Sequence, residues 1–123
     1  MYTSPVADFR DLRVWQSAHR LALDCYQASE GWPPGERYGL TSQVRRAAVS
    51  IGANIAEGSG RGSDRDFARF VRIALGSTNE IESLLLMAEG LGYLEPNDHR
   101  DLHRSTRQVR QMLNGLVASL NRD

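Results

Sequence analysis

Four segments with helical periodicity, three short turn-rich connections between them, and no strand-like alternation predict an all-α protein. The expected architecture is a single domain over residues 1–123, folded as an up-down-up-down left-handed four-helix bundle. The short connections force consecutive helices to pack as antiparallel neighbours.

The first helix is predicted over Asp11 to Ser29. Leu12, Trp15, Ala18 or His19, Ala22 and Tyr26 recur at three- and four-residue spacing, and Val14, Leu21 and Cys25 widen the apolar stripe. Gly31 and the pair Pro33-Pro34 stop it. The second helix starts near Gly39 to Thr41 and runs to about Glu57, with Leu40, Val44, Ala47, Ala48, Ile51 and Ile55 inward. Ala47, Ala48, Gly52, Ala53 and Ala56 are small enough to admit a neighbouring helix. A tight crossing is the expected reason for Gly52, because glycine in a helix costs about 1 kcal/mol against alanine. Ala48 is expected on the crowded side.

"GSGRGS" ends that helix, with Gly58, Gly60 and Gly62 read as turn positions that tolerate positive φ. Ser63 stands three residues before Asp66 and is the expected cap of the third helix, with Ser59 as a weaker alternative. The third helix covers Asp64 to Leu91, with its core traced by Phe67, Phe70 or Val71, Ala74, Ile81, Leu84 or Leu85, and Ala88 or Leu91. Trp15, Phe67 and Phe70 are expected in the core rather than at an interface. "GYLEPND" makes the last turn, and the fourth helix begins after Pro96 with Asn97 as its expected cap. Leu102, Val109, Met112, Leu113, Leu116, Val117 and Leu120 face inward. An antiparallel return sets Glu89 near Arg100, Glu82 near Arg104 and Glu80 near Arg107.

The composition narrows the function classes. A hydrophobic fraction of 41% suits a packed core rather than a disordered chain. The lone cysteine, Cys25, excludes an internal disulfide and reads as a small buried residue. No basic start followed by an apolar run opens the chain, and no apolar stretch is long enough to span a membrane, so a cytoplasmic protein with no membrane partner is expected. Net charge is zero, which argues against a strongly basic nucleic-acid-binding protein. All 15 basic residues are nevertheless arginine, the better residue for rigid carboxylate or phosphate pairing.

Catalytic chemistry finds little support, and a protein without catalytic residues, cofactor or metal is expected. "GSGRG" follows no strand and precedes no Gly-Lys-Ser/Thr ending, so it is read as a turn and not as a phosphate-cradling loop. His99 and His103 share a helix face at i, i+4, but "HRDLH" lacks the adjacent glutamate of the zinc-hydrolase motif, and a solvated polar face is expected. No serine has a recognisable base partner, and no Glu-x-x-His motif of a di-iron bundle occurs. The arginines beside the glycine turn are the candidate binding residues. Arg61, Arg65, Arg69 and Arg72 recur at helical spacing on one face, and Arg45 and Arg46 stand on the second helix. Such a stripe contacts phosphates without reading sequence, or pairs with acidic residues of another subunit.

Three linked segments also carry a resemblance: "FRDLRVWQSAHRLAL" (Phe9 to Leu23), "ERYGLTSQVRRAAVSIGANIAEGSGR" (Glu36 to Arg61) and "FARFVRIALGSTNEIESLLLMAEGLGYL" (Phe67 to Leu94). Together they resemble the S23, or 23S ribosomal RNA intervening-sequence, protein family. The chain is similar as well to the accessory variability determinant of diversity-generating retroelements. The resemblance implies a four-helix bundle assembled as a homopentamer, with no established catalytic residues. The retroelement relative implies RNA or single-stranded DNA as partners and a reverse transcriptase as protein partner. Where the family pattern has proline and serine after Ile51, this chain has Gly52 and Ala53, so a local difference in helix geometry is expected. The leading expectation is a noncatalytic homo-oligomeric assembly protein; the alternative is a nucleic-acid-binding accessory module that uses the arginine stripe.

Overall fold

Residues 8–121 are described by the computed structural model. Helix α1 spans Arg13–Ser29, α2 Leu40–Ser59, α3 Asp64–Gly90 and α4 Pro96–Leu120, and no strand occurs among the described residues. Each helix packs on the next, and α1 closes the ring against α4. Long-range pairs fix the up-down-up-down order. Arg45 of α2 meets Ser29 at the end of α1, and Ser50 of α2 shares a 2.5 Å hydrogen bond with Ser77 of α3. Glu89 of α3 faces His99 of α4, while Glu82 faces His103. No described helix is long and apolar enough to cross a membrane.

Helix starts follow local chemistry. A single 3-10 turn, Phe9–Asp11, precedes α1, and its cap Asp8 accepts from the Arg10 backbone N–H at 2.9 Å. The first helix therefore begins at Arg13 rather than Asp11. Ser63 caps α3 by accepting from the Asp66 N–H at 3.1 Å, as expected. Ser59 instead belongs to α2, where its hydroxyl donates to the Ala56 carbonyl. On α4 the expected cap is corrected. Pro96 is itself the first helical residue, and Glu95 holds the cap position. Proline suits that first position because the N–H it lacks would have no helical partner.

The core lies between the four helices. Val44, Ala48, Ile51 and Ile55 of α2, Phe67, Val71, Ala74, Ile81 and Leu85 of α3, Val109 and Leu113 of α4, and Ala18, Leu21 and Cys25 of α1 are all at most 1% exposed. The expected inward positions thus hold for most of the chain. Trp15, Phe70, Met112, Leu116 and Val117 depart from it, being half-buried at the margin, and Tyr26 is exposed, while Phe67 is in the core.

The glycines at the α2–α3 corner separate into two kinds. Gly62, at φ +86°, is the left-handed residue of the turn. Gly58 is not a turn residue: it lies inside α2 and is buried. A Cβ built there would stand 2.7 Å from Cβ of Phe70 and 2.9 Å from Cδ1 of Phe67. The close crossing expected at Gly52 is therefore at Gly58. What lies over Gly52 is the indole of Trp15, 3.4 Å from such a Cβ.

The opposite end of the bundle is tied by side chains. Glu36, in a second 3-10 turn (Pro34–Glu36), accepts from the Leu40 N–H at 3.1 Å and so caps α2. Its other oxygen accepts from the Tyr93 hydroxyl at 3.0 Å, joining the α1–α2 connection to the α3–α4 connection. Tyr93 also packs on buried Trp32, with ring centroids 5.9 Å apart. Gly92, at φ +79°, lets α3 end in a paired turn in which the N–H groups of Gly92 and Tyr93 donate to the Glu89 and Ala88 carbonyls.

Two substitutions test this packing by urea denaturation. Gly58→Ala should cost a net of about 1–2 kcal/mol despite alanine's better helix propensity, because Phe67 and Phe70 must shift. Gly60→Ala, whose Cβ would make only ordinary contacts, should be near neutral. Ala48→Leu, at a fully buried position, should cost about 1–3 kcal/mol.

Candidate interaction surfaces

Two faces of the bundle carry features beyond packing. The first lies between the outer sides of α1 and α2. A groove of about 390 Å³ is walled by Trp15, His19, Leu23, Tyr26 and Val49 and floored by Ala18, Ala22, Ala48, Gly52, Ala53 and Ala56. The small residues make it a groove by lowering its floor. Trp15 is held in the wall by stacking on His19, with centroids 4.7 Å apart, and by the edge of Phe9 at 5.1 Å. Leu23, Tyr26 and Val49 are each 43–49% exposed.

The second face is basic. Arg65, Arg69 and Arg72 are exposed on the outward side of α3, and none has an acidic partner among the described residues. Arg61 pairs with Glu57 at 3.2 Å. Phe70 lies between two of these arginines, with the Arg61 and Arg69 guanidinium carbons 4.9 and 4.6 Å from its ring centre. The ring orients both cations through its electron-rich faces.

The two arginines of α2 do not join this group. Antiparallel packing puts them near the other end of the hairpin. At 1.5 Å per residue, Arg45 is about 25 Å along the axis from the corner that carries Arg65. Arg45 is also engaged. Its Nε donates to Ser29 Oγ at 2.9 Å, its terminal nitrogen donates to the Tyr26 carbonyl at 3.2 Å, and it lies over the Tyr26 ring. It places positive charge at the C-terminus of α1, where unsatisfied carbonyls and the helix dipole favour it. Arg46 is exposed.

The α3–α4 seam redistributes the expected ion pairs. His99 approaches Glu89 at 3.7 Å, and His103 approaches Glu82 at 3.8 Å. Glu82 also accepts from Arg110, whose Nε reaches Thr78. The expected register was correct to within a residue, but histidines and Arg110 take the glutamates assigned to Arg100 and Arg104, and Glu80 has no ion pair with Arg107. Arg100, Arg104 and Arg107 are exposed; Arg104 has a loose 3.8 Å contact with Asp101. These three were missed as candidate binding residues. Their i, i+4, i+7 spacing was the available signal.

Among the described residues no cluster of three or more His, Cys, Asp or Glu side chains is placed to hold a metal ion. His99 and His103 stack at 6.0 Å on the seam. Cys25 is fully buried, and burial, with a smaller contribution from Asp24, pushes its thiol up to about 12, which keeps it from being a nucleophile at neutral pH.

A family model described as the 23S rRNA-intervening sequence protein matches residues 10–115. The fold is similar to that of a crystal structure of a protein of unknown function from the S23 ribosomal protein family of Bacteroides thetaiotaomicron. The TM-score is 0.76 at 22% identity, over 85% of this chain and 97% of that one. No curated protein matches the chain.

The split between Arg45 and Arg46 is directly measurable. Arg45→Met should cost about 1–2 kcal/mol in urea denaturation, since it removes two charged hydrogen bonds at a half-buried site. Arg46→Met should stay within about 0.5 kcal/mol.

Proposed function

The chain belongs to the 23S rRNA-intervening sequence protein family, and from that premise we propose that it is a noncatalytic helical protein that acts by assembling with copies of itself. The observation that carries this reading is the apolar groove between α1 and α2. Its floor of alanine and glycine admits the side chains of another helix, and its walls leave large apolar groups in water. Where such a groove receives a different patch of the neighbouring copy, the contacts close into a ring if the rotation between copies allows it. A homopentamer is the ring that the family resemblance implies.

A second reading rests on a separate observation. Arg65, Arg69 and Arg72 face outward without acidic partners, and Arg61 stands beside them on Phe70. This arrangement suits a largely sequence-independent contact to nucleic-acid phosphates. Repetition of the stripe around an oligomer would raise avidity if one polymer spans the copies.

Sedimentation equilibrium at tens of micromolar tests the first reading, with an oligomer expected for the wild type and dissociation for Val49→Asp. A wild-type monomer overturns it. Arg65→Gln/Arg69→Gln tests the second. It should weaken RNA and single-stranded DNA binding alike and lower the salt slope, with the oligomer intact. An oligomer that loosens in this variant, with no wild-type binding at low salt, would instead place these arginines in intersubunit ion pairs.

A further inference from the structure

The arginines of α4 and α3 form one surface, and we propose that this surface binds the backbone of double-stranded RNA. The inference rests on the second reading above and extends it to a second helix and to a class of nucleic acid. On α4, Leu102, Thr106, Val109 and Leu113 are buried, and His99, His103 and Arg110 turn to the glutamates of α3. The helix period then leaves Arg100, Arg104 and Arg107 outward, where the structure shows them exposed. On α3, Thr78, Glu82 and Glu89 turn to α4, and Arg65, Arg69 and Arg72 are outward by the same logic.

The Glu82–His103 pair sets the two stripes on a common axis. Arg65, Arg69 and Arg72 lie about 25, 20 and 15 Å to one side of that level. Arg107 lies about 6 Å to the same side, Arg104 is near the level, and Arg100 is about 5 Å beyond it. Along the axis the six arginines therefore span about 30 Å in steps of at most about 10 Å. The acids nearby are Glu80 on the face, Asp101 beside Arg104, Asp64 and Asp66 at the α3 start, and Glu82 and Glu89 in the seam, where Arg110 and the histidines face them. Outside the seam the arginines of this face outnumber its acids, although the whole chain is neutral. The complementary partner is a polyphosphate.

The shape selects among nucleic acids. The exposed large aromatic residues of the described chain are Tyr26 and Tyr38, on α1 and the α1–α2 connection. Phe70 is half-buried and covered by two arginines. The face thus lacks the aromatic platforms on which single strands stack their bases. Two helices packed about 8–10 Å apart, each about 10–12 Å across, are also too broad for the roughly 12 Å major groove of B-DNA. A wide, shallow surface lined by phosphates and hydroxyls is what the A-form minor groove offers. Exposed Gln108 and Gln111 beside Arg104 and Arg107 supply amides for the 2′-hydroxyls.

Fluorescence anisotropy with a mixed-sequence RNA duplex of about 20 base pairs tests this, against the same sequence as a DNA duplex and as single-stranded RNA. Arg100→Gln/Arg104→Gln/Arg107→Gln should weaken RNA-duplex binding by about tenfold or more and lower the salt slope by about 2–3. Each single substitution should lower the slope by about 1, so the result does not depend on the triple variant alone. Arg13→Gln/Arg20→Gln/Arg46→Gln, with the same loss of charge on other faces, should change binding by less than about twofold. Glu80→Gln should tighten binding about two- to threefold. Wild-type affinity in the α4 single and triple variants would overturn the proposal. If Arg65→Gln/Arg69→Gln still weakened binding in that case, the α3 contact alone would stand. Equal or tighter binding of the DNA duplex or the single strand would overturn the assignment to double-stranded RNA, and no wild-type binding would overturn both readings together.

Discussion

The absence of a side chain at Gly58 is the constraint on which this bundle turns. With no Cβ in the way, α2 and α3 close until Phe67 and Phe70 lie against the α2 backbone. That approach seats Phe67 in the core and stops Phe70 at its edge. Phe70 in turn orients Arg61 and Arg69. The packing of one helix pair and the direction of two surface cations thus share a single origin. Any residue with a side chain at this position must be accommodated by moving two aromatic rings in a close-packed interior.

The α3–α4 seam shows how side-chain length decides between candidate partners. Histidine is short and rigid, and at positions 99 and 103 it meets a glutamate of the neighbouring helix directly. The arginines one residue further along, 100 and 104, are rotated by about 100° and point to solvent. Arg110 reaches Glu82 and Thr78 from the following turns because its side chain is longer. A near-zero net charge conceals the result, a run of outward arginines on α3 and α4. The bundle has an apolar groove along α1–α2 and a basic outer face on α3–α4.

The helices were legible because their periodicity is sustained over 17 to 27 residues, and the Ser63 cap was legible because its chemistry is local. The corner glycines were not. Gly58, Gly60 and Gly62 are identical in sequence, and only the three-dimensional neighbours distinguish a crossing from a turn. The two 3-10 turns were equally silent, being a few residues each with no periodicity to read. Of the candidate site, Arg65, Arg69 and Arg72 were placed on one exposed face as the spacing implied. Arg45 was not separable from Arg46, because adjacent residues on a helix differ by a rotation whose outcome depends on where α1 ends. Arg100, Arg104 and Arg107 were hidden because their charges match the α3 glutamates, which the neighbouring His99 and His103 face instead.

The hydrogen bond from Tyr93 to Glu36 has a mechanical consequence. It fastens both connections at one end of the bundle to each other, and Glu36 fastens them to the start of α2 as well. At the other end the described elements are joined by the α2–α3 corner and by the 3-10 turn Phe9–Asp11, which packs on α1 and α2. The two ends are therefore held by different means, a side-chain tie between connections at the Tyr93 end and the close packing of Phe67 and Phe70 on Gly58 at the corner end.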